Sequence, residues 1–580
     1  MLEFIQLLKQ RYQTVLEQLD KKNPHYFDYQ QRIEQLLYAE AFIRKGLLIA
    51  NAPKFPLQIA VVGPTQAGKS SVVNALLQRD LAGVSPLAGY TVHPQGFCHR
   101  ISYHDCDELQ HYFGRFQRLD QAALQRKRYD CYSLSEHPEH SDCLPPSVLW
   151  DTPDFDSIDA ADYREGVIRT VALADIVVLV VSKEKYADQS VWEVMQAIEA
   201  FKQPTFICLN KVSEGSEVIL LDSLRQKWQQ NRRDAMADVV TLPFQKFPAV
   251  PIWPASAQRA LAELSKQVQH KKHADYQQQM LLRHWQSWLA PVLAEHHAQR
   301  HWQTLVDQAL ADALKLYRRD YLDHPHHYHT FQRALLKLLN LLEIPGIAKA
   351  LGKTRRAMTW PIRKMMALGQ REFQPNPTQE IAILRQLGEH VMIQLADKLL
   401  ERAETETVNS GWWRETALAM RQQRPQLQQR FQHAVGEYHN GFGQDVEAAA
   451  HRLYHRLQEH PLILNSLRAT RVTTDAGAML LAIQTGGIGV HDLVLTPMML
   501  TITSLLAESA IGSYMHRVEA ELKQHQLHTV KTALFEAVLK PHLYELARQL
   551  RSPMRFNISE SWLAQAEQAL KEKKHGLRLL

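Results

Sequence analysis

One stretch near the start of the chain limits its possible folds more than any other feature. Residues 63–70 read Gly-Pro-Thr-Gln-Ala-Gly-Lys-Ser, which has the G-x-x-x-x-G-K-[ST] spacing of a phosphate-binding P-loop. The apolar run 57–62 before it is typical of a buried strand, and residues 70–77 after it favour a helix. Strand, loop and helix therefore occur in the order that places loop amides and a helix N-terminus around a phosphate.

The P-loop spacing also predicts what individual side chains do. Lys69 is expected to neutralise the β- and γ-phosphates of a nucleotide, and the Ser70 hydroxyl is expected to hold Mg²⁺. The residues that we expect to contact the nucleotide here are Gly63, Pro64, Thr65, Gln66, Ala67, Gly68, Lys69, Ser70 and Ser71.

Length and composition set wider limits. The chain has 580 residues, enough for about two to four domains. Its apolar fraction of 45% and charged fraction of 22% are those of a globular protein, and a net charge of +6 permits an anionic partner without requiring one. The five cysteines form no C-x-x-C pair and the N-terminus does not resemble a signal peptide, so we expect a cytoplasmic, reducing location.

Between residues 54 and 265, short apolar runs alternate with helical stretches. This alternation predicts an α/β domain with a mostly parallel sheet. The candidate strands are 57–62, 95–101, 147–150, 175–181, 204–209 and 248–252. An insertion at about 103–146 carries His and Cys residues at spacings that match no standard zinc pattern, so we interpret it as a surface excursion.

The remainder of the chain has helical spacing. Residues 276–580 predict a large all-α bundle or stalk, and residues 1–50 predict two further helices. Because these N-terminal helices need an apolar surface to cover, we expect them to pack on the helical bundle.

Further motifs fall where parallel strands end, the edge at which such sheets bind ligands. Asp151 follows an apolar strand and is a candidate Mg²⁺ ligand. Thr91 lies between the P-loop and that aspartate, where its hydroxyl can reach Mg²⁺ when a γ-phosphate is present. Asn210 and Lys211 are candidates for contacting the purine base, and the turn Ser256–Ala257 can contact it through backbone N–H groups.

Four motifs in this order resemble those of a translation-factor-class GTPase. The run from Val61 to Leu76 is similar to dynamin-family and Era-type GTPases, Gly89-x-Thr91-x-x-Pro94 resembles the dynamin switch I, and Asp151-Thr152-Pro153 resembles the third Era motif. The motif resemblance covers about 57–260, and the flanking helical regions match the dynamin-like layout only in architecture. It implies a bacterial dynamin-like or Era-like enzyme that hydrolyses GTP with Mg²⁺, with K⁺ as a candidate cofactor and G-domain self-association.

Several positions depart from the family pattern. Asp154 replaces a Gly whose N–H meets the γ-phosphate, and it adds negative charge nearby. Phe155 stands where small GTPases often carry a water-positioning Gln. Gln66 occupies the place of a catalytic Ser in dynamins, and either orients water or only packs. Ser213 replaces the Asp that accepts two hydrogen bonds from guanine. We prefer GTP as the substrate because the Asn-Lys and Ser-Ala motifs occur together, and we expect turnover to be slow without a partner or self-assembly. A domain that binds nucleotide and barely hydrolyses it is the alternative.

Two C-terminal segments are candidates for membrane contact. Segment 344–371 contains seven basic residues and no acidic one, with apolar residues between them, which favours an anionic membrane surface. Ribosomal RNA and a solvated helix face are its alternatives, and no DNA partner is expected. Segment 476–514 has two apolar arms, each shorter than the roughly 20 residues of a spanning helix. Its alternatives are a hairpin in one leaflet, a spanning segment with a costly polar centre, and a buried hairpin in the bundle core.

The leading hypothesis is a dynamin-like GTPase whose nucleotide state moves a helical stalk, peripherally associated with the cytoplasmic face of the inner membrane. The second is an Era-like switch in ribosome assembly, with 344–371 on ribosomal RNA. The third is a nucleotide-gated scaffold without catalysis.

Overall fold

The computed structural model describes residues 1–84, 91–125, 128–137, 141–155, 160–199, 201–213, 215–245, 252–324, 329–342, 379–406, 409–469, 511–548 and 552–571. These residues form two compact units, Met1–Leu293 with Pro553–Leu580, and Ala294–Ser552. Segment 344–371 and all but the end of segment 476–514 lie outside the described residues, as does most of the candidate strand 248–252.

Strands alternate with helices in the first half of the chain. The α-helices in chain order are α1 (Leu2–Gln18), α2 (Tyr26–Asn51), α3 (Lys69–Leu77), α4 (Leu109–Phe113), α5 (Ala160–Leu173), α6 (Gln189–Glu199), α7 (Glu217–Asn231), α8 (Ala255–Gln267), α9 (His273–Tyr317), α10 (His329–Leu341), α11 (Gln379–Thr405), α12 (Ser410–Gly441), α13 (Gly443–Gln458), α14 (Pro461–Ala469), α15 (Gly512–Thr529), α16 (Lys540–Arg548) and α17 (Glu560–Lys571). Two π-helical segments, Arg318–Leu322 and Val530–Leu539, directly follow α9 and α15. The strands are β1 (Leu57–Val62), β2 (Gln95–His99), β3 (Gln117–Leu119), β4 (Cys131–Glu136), β5 (Ser147–Asp151), β6 (Ile176–Ser182), β7 (Thr205–Val212) and β8 (Asp238–Pro243).

The strands form one eight-stranded sheet in the order β3-β4-β2-β5-β1-β6-β7-β8. Every neighbouring pair is parallel except β2 with β5, so the predicted α/β domain with a mostly parallel sheet is confirmed. The register pairs Val61 with Asp151 and Ser182 with Asn210. Because β1, β5, β6 and β7 run in the same direction, the loops that carry the candidate site residues all leave the same edge of the sheet.

The insertion at 103–146 differs from the expected surface excursion, because it adds β3 and β4 to the sheet. Phe113 and Tyr132 stack with ring centroids 4.2 Å apart, and both pack against Trp150 of β5. These aromatic side chains give the added strands a core of their own. The sequence prediction also missed β8, whose exposed and buried residues alternate without a continuous apolar run.

The N-terminal helices lie in the same unit as the sheet, where they contact both the sheet domain and the first part of α9, a helix of the predicted region 276–580. On α2, Phe42 stacks on Phe201 with centroids 4.5 Å apart, and Lys45 forms a 2.8 Å ion pair with Asp175 at the start of β6. The Tyr12 hydroxyl of α1 donates to the Trp288 carbonyl oxygen of α9 at 2.8 Å. Residues 36–43 of α2 are all buried, and α2 packs on α1, α5 and α4 of the same unit.

The second unit is all-helical within its described residues, as predicted for this part of the chain. Its core contains large side chains such as Trp302, Trp413 and Phe535. The carboxylate of Glu380, the second residue of α11, is also buried and lies among tyrosine hydroxyls from other helices. Among the described residues of the chain, no helix is both long and apolar enough to cross a membrane.

Candidate nucleotide site

Two glycines shape the P-loop because no side chain fits at either position. A Cβ atom on Gly63 would lie 2.2 Å from the carbonyl oxygen of Val180 in β6. Gly68 has φ +92°, and a Cβ atom there would lie 2.4 Å from Nδ2 of Asn210. The loop therefore packs directly against β6 and β7, and its backbone takes a left-handed turn just before α3 begins.

Lys69 opens α3 and is buried, although it carries a charge. Its Nζ donates to the Pro64 carbonyl oxygen at 3.3 Å and forms an ion pair with Asp154. Asp154 is the residue that departs from the family pattern by replacing a glycine. The ammonium that should meet the phosphates is thus held by a carboxylate from the third motif, an arrangement that sequence reasoning anticipated only as nearby negative charge.

Ser70 and Asp151 lie together at the mouth of the loop. Ser70 Oγ donates to Oδ2 of Asp151 at 2.7 Å, while Oδ1 of the fully buried carboxylate has no hydrogen-bond partner among the described residues. Burial raises the pKa of Asp151 to about 6, against the lowering effects of the Ser70 hydrogen bond and the Lys69 charge. A hydroxyl beside an under-satisfied carboxylate is an oxygen donor set that suits Mg²⁺.

Asn210 and Lys211 hold the P-loop from the end of β7. Asn210 Nδ2 donates to the carbonyl oxygen of Ala67 at 3.0 Å, and Lys211 Nζ donates to that of Gln66 at 2.7 Å. The sequence suggested only base contacts for these two residues. The structure adds a bracing role, which couples the loop at the phosphates to the strand end where the base is expected.

Two contacts near the site have no counterpart in the sequence predictions. Thr152 Oγ1 donates to the Val61 carbonyl oxygen at 2.7 Å, which ties the segment after β5 to the end of β1. Lys183, directly after β6, donates through Nζ to Oγ of Ser213 at 3.1 Å. The adjacency of the ends of β6 and β7 was the signal available for this second contact.

Other predicted site residues are not joined to the P-loop by the described contacts. Thr91 is buried and directly follows 85–90, which are outside the described residues. Ser256 is exposed in the first turn of α8, and Ala257 is buried in the core beneath the sheet. Ser71 is half-buried in α3.

The comparison with protein families identifies this domain. Residues 58–211 match the family described as 50S ribosome-binding GTPase. The matched segment begins in β1 and ends at Lys211, and it contains the P-loop and Asp151. The resemblance to a P-loop GTPase is confirmed, and the chain contains a GTP-binding domain of this class.

Similar solved structures have low scores. The bacterial selenocysteine-specific elongation factor EF-Sec is 14% identical with a TM-score of 0.21, and the match covers 37% of this chain and 28% of that one. Two structures of an oligomerised bacterial dynamin pair, described as a mechanism for long-range sensing and tethering of membranes, are 12% and 10% identical. Their TM-scores are 0.26 and 0.33, with 92% and 96% of this chain and 86% and 96% of theirs covered. Likeness at this level supports no conclusion about this chain. No curated protein matches it.

Proposed function

We propose that this protein binds GTP with Mg²⁺ at the P-loop, hydrolyses it slowly, and passes its nucleotide state to the helical unit at the cytoplasmic membrane surface. The observation that supports this most directly is the meeting of Ser70 and Asp151 at 2.7 Å beside Lys69. The buried Asp151 Oδ1, which has no partner among the described residues, is suited to complete the coordination of a cation.

The proposed binding step assigns separate tasks to the side chains of the loop. P-loop amides and Lys69 take the phosphate oxygens, and Lys69 must leave Asp154 to do so. Ser70 and Asp151, with Thr91 as a third proposed ligand, would hold Mg²⁺, which when bound withdraws charge from the phosphate oxygens. Since Asp154 competes with the phosphates for one ammonium group, we expect it to weaken nucleotide binding.

Hydrolysis is attack of water on the γ-phosphorus, which breaks its bond to the bridging oxygen and yields GDP and phosphate. Gln66 is the proposed water-orienting residue, because it occupies the place of a catalytic Ser in dynamins and lies exposed in the loop. We expect slow turnover by an isolated chain because Phe155 stands where small GTPases often carry a water-positioning Gln. Self-association of the G domain is the proposed source of acceleration, with K⁺ as a candidate cofactor.

The membrane part of the proposal rests on the sequence of segment 344–371. Near an anionic surface each basic residue contributes about 1 kcal/mol to binding, so the seven basic residues there can hold a protein peripherally. A ribosome-assembly switch is the second candidate, because the matched family is described as ribosome-binding. In that case the same basic segment would meet ribosomal RNA.

Replacement of Lys69 tests the nucleotide site. We expect Lys69→Ala to weaken GTP binding at least about 100-fold by calorimetry with Mg²⁺, because alanine removes the buried ammonium that meets the phosphates. Hydrolysis should fall with binding. Lys54→Ala, an exposed lysine of the same unit, is the matched control and should behave as the natural chain. Hydrolysis that persists in Lys69→Ala would show that the activity arises elsewhere.

Charge reversal in segment 344–371 distinguishes the two proposed partners, an anionic membrane and ribosomal RNA. The variant carries glutamate at Arg355, Arg356, Arg363 and Lys364. If the membrane proposal holds, the natural chain sediments with anionic vesicles, the reversed chain stays in the supernatant, and both retain GTP binding. Salt-sensitive sedimentation with ribosomes, with no vesicle binding, would favour the ribosomal candidate instead.

A further inference from the structure

The ends of β6 and β7 place two unusual side chains beside the P-loop. The register pairs Ser182 with Asn210, and the residues just beyond this pair, Lys183 and Ser213, meet at 3.1 Å. Asn210 Nδ2 itself reaches the carbonyl oxygen of Ala67 in the P-loop at 3.0 Å. A purine nucleotide with its phosphates on the loop therefore has its base near the Lys183–Ser213 pair.

The pair has a different hydrogen-bonding character from an aspartate. A carboxylate only accepts hydrogen bonds, so it suits the N1–H and 2-amino donors of guanine. Lys183 is a donor-only group with a positive charge, whereas the Ser213 hydroxyl both donates and accepts. A guanine 2-amino group that faces the Lys183 ammonium would meet a donor instead of an acceptor.

Xanthine fits the same two side chains without this conflict. It keeps the N1–H of guanine, which the Ser213 hydroxyl can accept, and it carries a 2-oxo group, which Lys183 can bond as a donor. Hypoxanthine carries only hydrogen at C2, so it avoids the repulsion without gaining the second bond. Rejection of a base through one unpaired polar group is a strong source of discrimination, so the change of character at this edge matters.

We propose that the Lys183–Ser213 pair sets the base specificity of this site. The site then binds 6-oxopurine nucleotides that lack a 2-amino group at least as well as it binds GTP, and xanthosine triphosphate most tightly of these. This inference rests on the proposed function, because it concerns the base of the nucleotide bound at the same P-loop. It assigns Lys183 as a specificity-determining residue.

Binding of four nucleotides to the full chain tests the proposal. Calorimetry with Mg²⁺ compares the triphosphates of guanosine, xanthosine, inosine and adenosine. We expect xanthosine triphosphate to bind at least as tightly as GTP. Ser213→Asp should shift the ratio towards GTP by about 100-fold or more, because it restores an acceptor for both guanine donors. Lys183→Ala should weaken xanthosine triphosphate about 10-fold and leave inosine triphosphate unchanged, since only the former carries the 2-oxo group.

Two further variants keep the outcome interpretable. Lys185→Ala is the control for charge alone, because Lys185 pairs with Asp188 at 3.2 Å and should not alter the nucleotide ratio. Glu214 follows Ser213 and is outside the described residues, so Glu214→Gln tests whether it replaces the missing aspartate. A natural chain that prefers GTP about 100-fold, and loses this preference in Glu214→Gln, would overturn the inference while leaving the GTPase proposal intact. A chain that binds no purine triphosphate would overturn both.

Discussion

Two buried carboxylates, one in each unit, have opposite surroundings. Asp151 in the G domain has one oxygen bonded by Ser70 and another without a described partner, and burial raises its pKa to about 6. Glu380 in the helical unit is just as buried, yet its pKa is lowered. Burial alone would raise the pKa of Glu380, but the nearby His439 ring and hydrogen bonds from Tyr438, Tyr317 and Gln526 outweigh that effect.

The donors around Glu380 come from helices that are distant in sequence. Tyr317 and Tyr438 donate to its Oε1 at 2.9 and 2.8 Å, and Gln526 Nε2 donates at 2.6 Å. Arg333 and His439 add cationic or hydrogen-bonding nitrogens at 3.9 and 3.5 Å. Both oxygens of the Glu380 carboxylate thus receive donors from the chain, whereas one oxygen of Asp151 has no partner among the described residues. A buried carboxylate with donors at both oxygens stabilises one packing arrangement, and one with an unpartnered oxygen can accept a ligand.

The variant with the largest expected effect on this comparison is Glu380→Ala. We expect it to lower the free energy of unfolding by about 3 to 5 kcal/mol, because several buried donors lose their acceptor together. The measurement is urea unfolding followed by circular dichroism. Glu401→Ala, at an exposed position on the same helix, is the control and should leave the midpoint unchanged. If Glu380→Ala unfolded at the same urea concentration as the natural chain, the network would contribute nothing to stability.

Asp151→Asn should act in the opposite direction on stability. Because the folded-state pKa of this carboxyl is raised to about 6, the ionised form present at neutral pH is unfavourable in the fold. Its removal should raise the free energy of unfolding without nucleotide by about 1 to 2 kcal/mol. Binding of GTP with Mg²⁺ should weaken in the same variant. A lower midpoint would mean that the Asp151 charge is already compensated, and the contrast with Glu380 would fail.

The two carboxylates also differ in how far the sequence could predict them. Asp151 ends an apolar strand, and the ends of neighbouring parallel strands share one edge, so its approach to Ser70 followed from local patterns. Nothing local marks Glu380, because its acceptor role depends on Tyr317, Tyr438 and Gln526, which other helices bring to it. Helical periodicity shows which face is buried, but it does not show what packs against that face.

The same reasoning explains the remaining differences. The apolar face of α2 was visible in the sequence, but its packing on α5 was not, because any apolar surface satisfies such a face. The insertion lacked long apolar runs, so the strands β3 and β4 were missed although Tyr132 packs firmly against Trp150. The ion pair of Lys69 with Asp154 joins two motifs that are 85 positions apart, and motif matching treats each motif by itself.

A smaller change to the Glu380 network separates loss of one donor from loss of the acceptor. Tyr438→Phe removes a single hydroxyl and leaves the carboxylate with its other donors, so we expect a loss of about 1 kcal/mol in the free energy of unfolding. Urea unfolding measures it against Tyr454→Phe, a tyrosine in the same unit that does not contact Glu380. Equal losses in Tyr438→Phe and Glu380→Ala would show that the network depends on one bond and not on the whole donor set.

The smallest expected effect is a pH dependence that only the intact network produces. A carboxyl whose folded-state pKa lies below its usual value of 4.5 stabilises the fold above that pH, and the contribution is lost as pH falls through the folded-state pKa. Protonation removes the charge that Tyr317, Tyr438 and the nearby Arg333 and His439 favour. Unfolding midpoints of the Asp151→Asn chain, with and without Glu380→Gln, exclude the titration of Asp151 from the comparison. The difference between the two chains should be constant from pH 7 to about 5 and should shrink at lower pH. A difference that stays constant throughout would show that the pKa of Glu380 is the same in the folded and unfolded chain. A difference that moves in favour of the glutamate as pH falls would show a raised pKa and would make the two buried carboxylates alike.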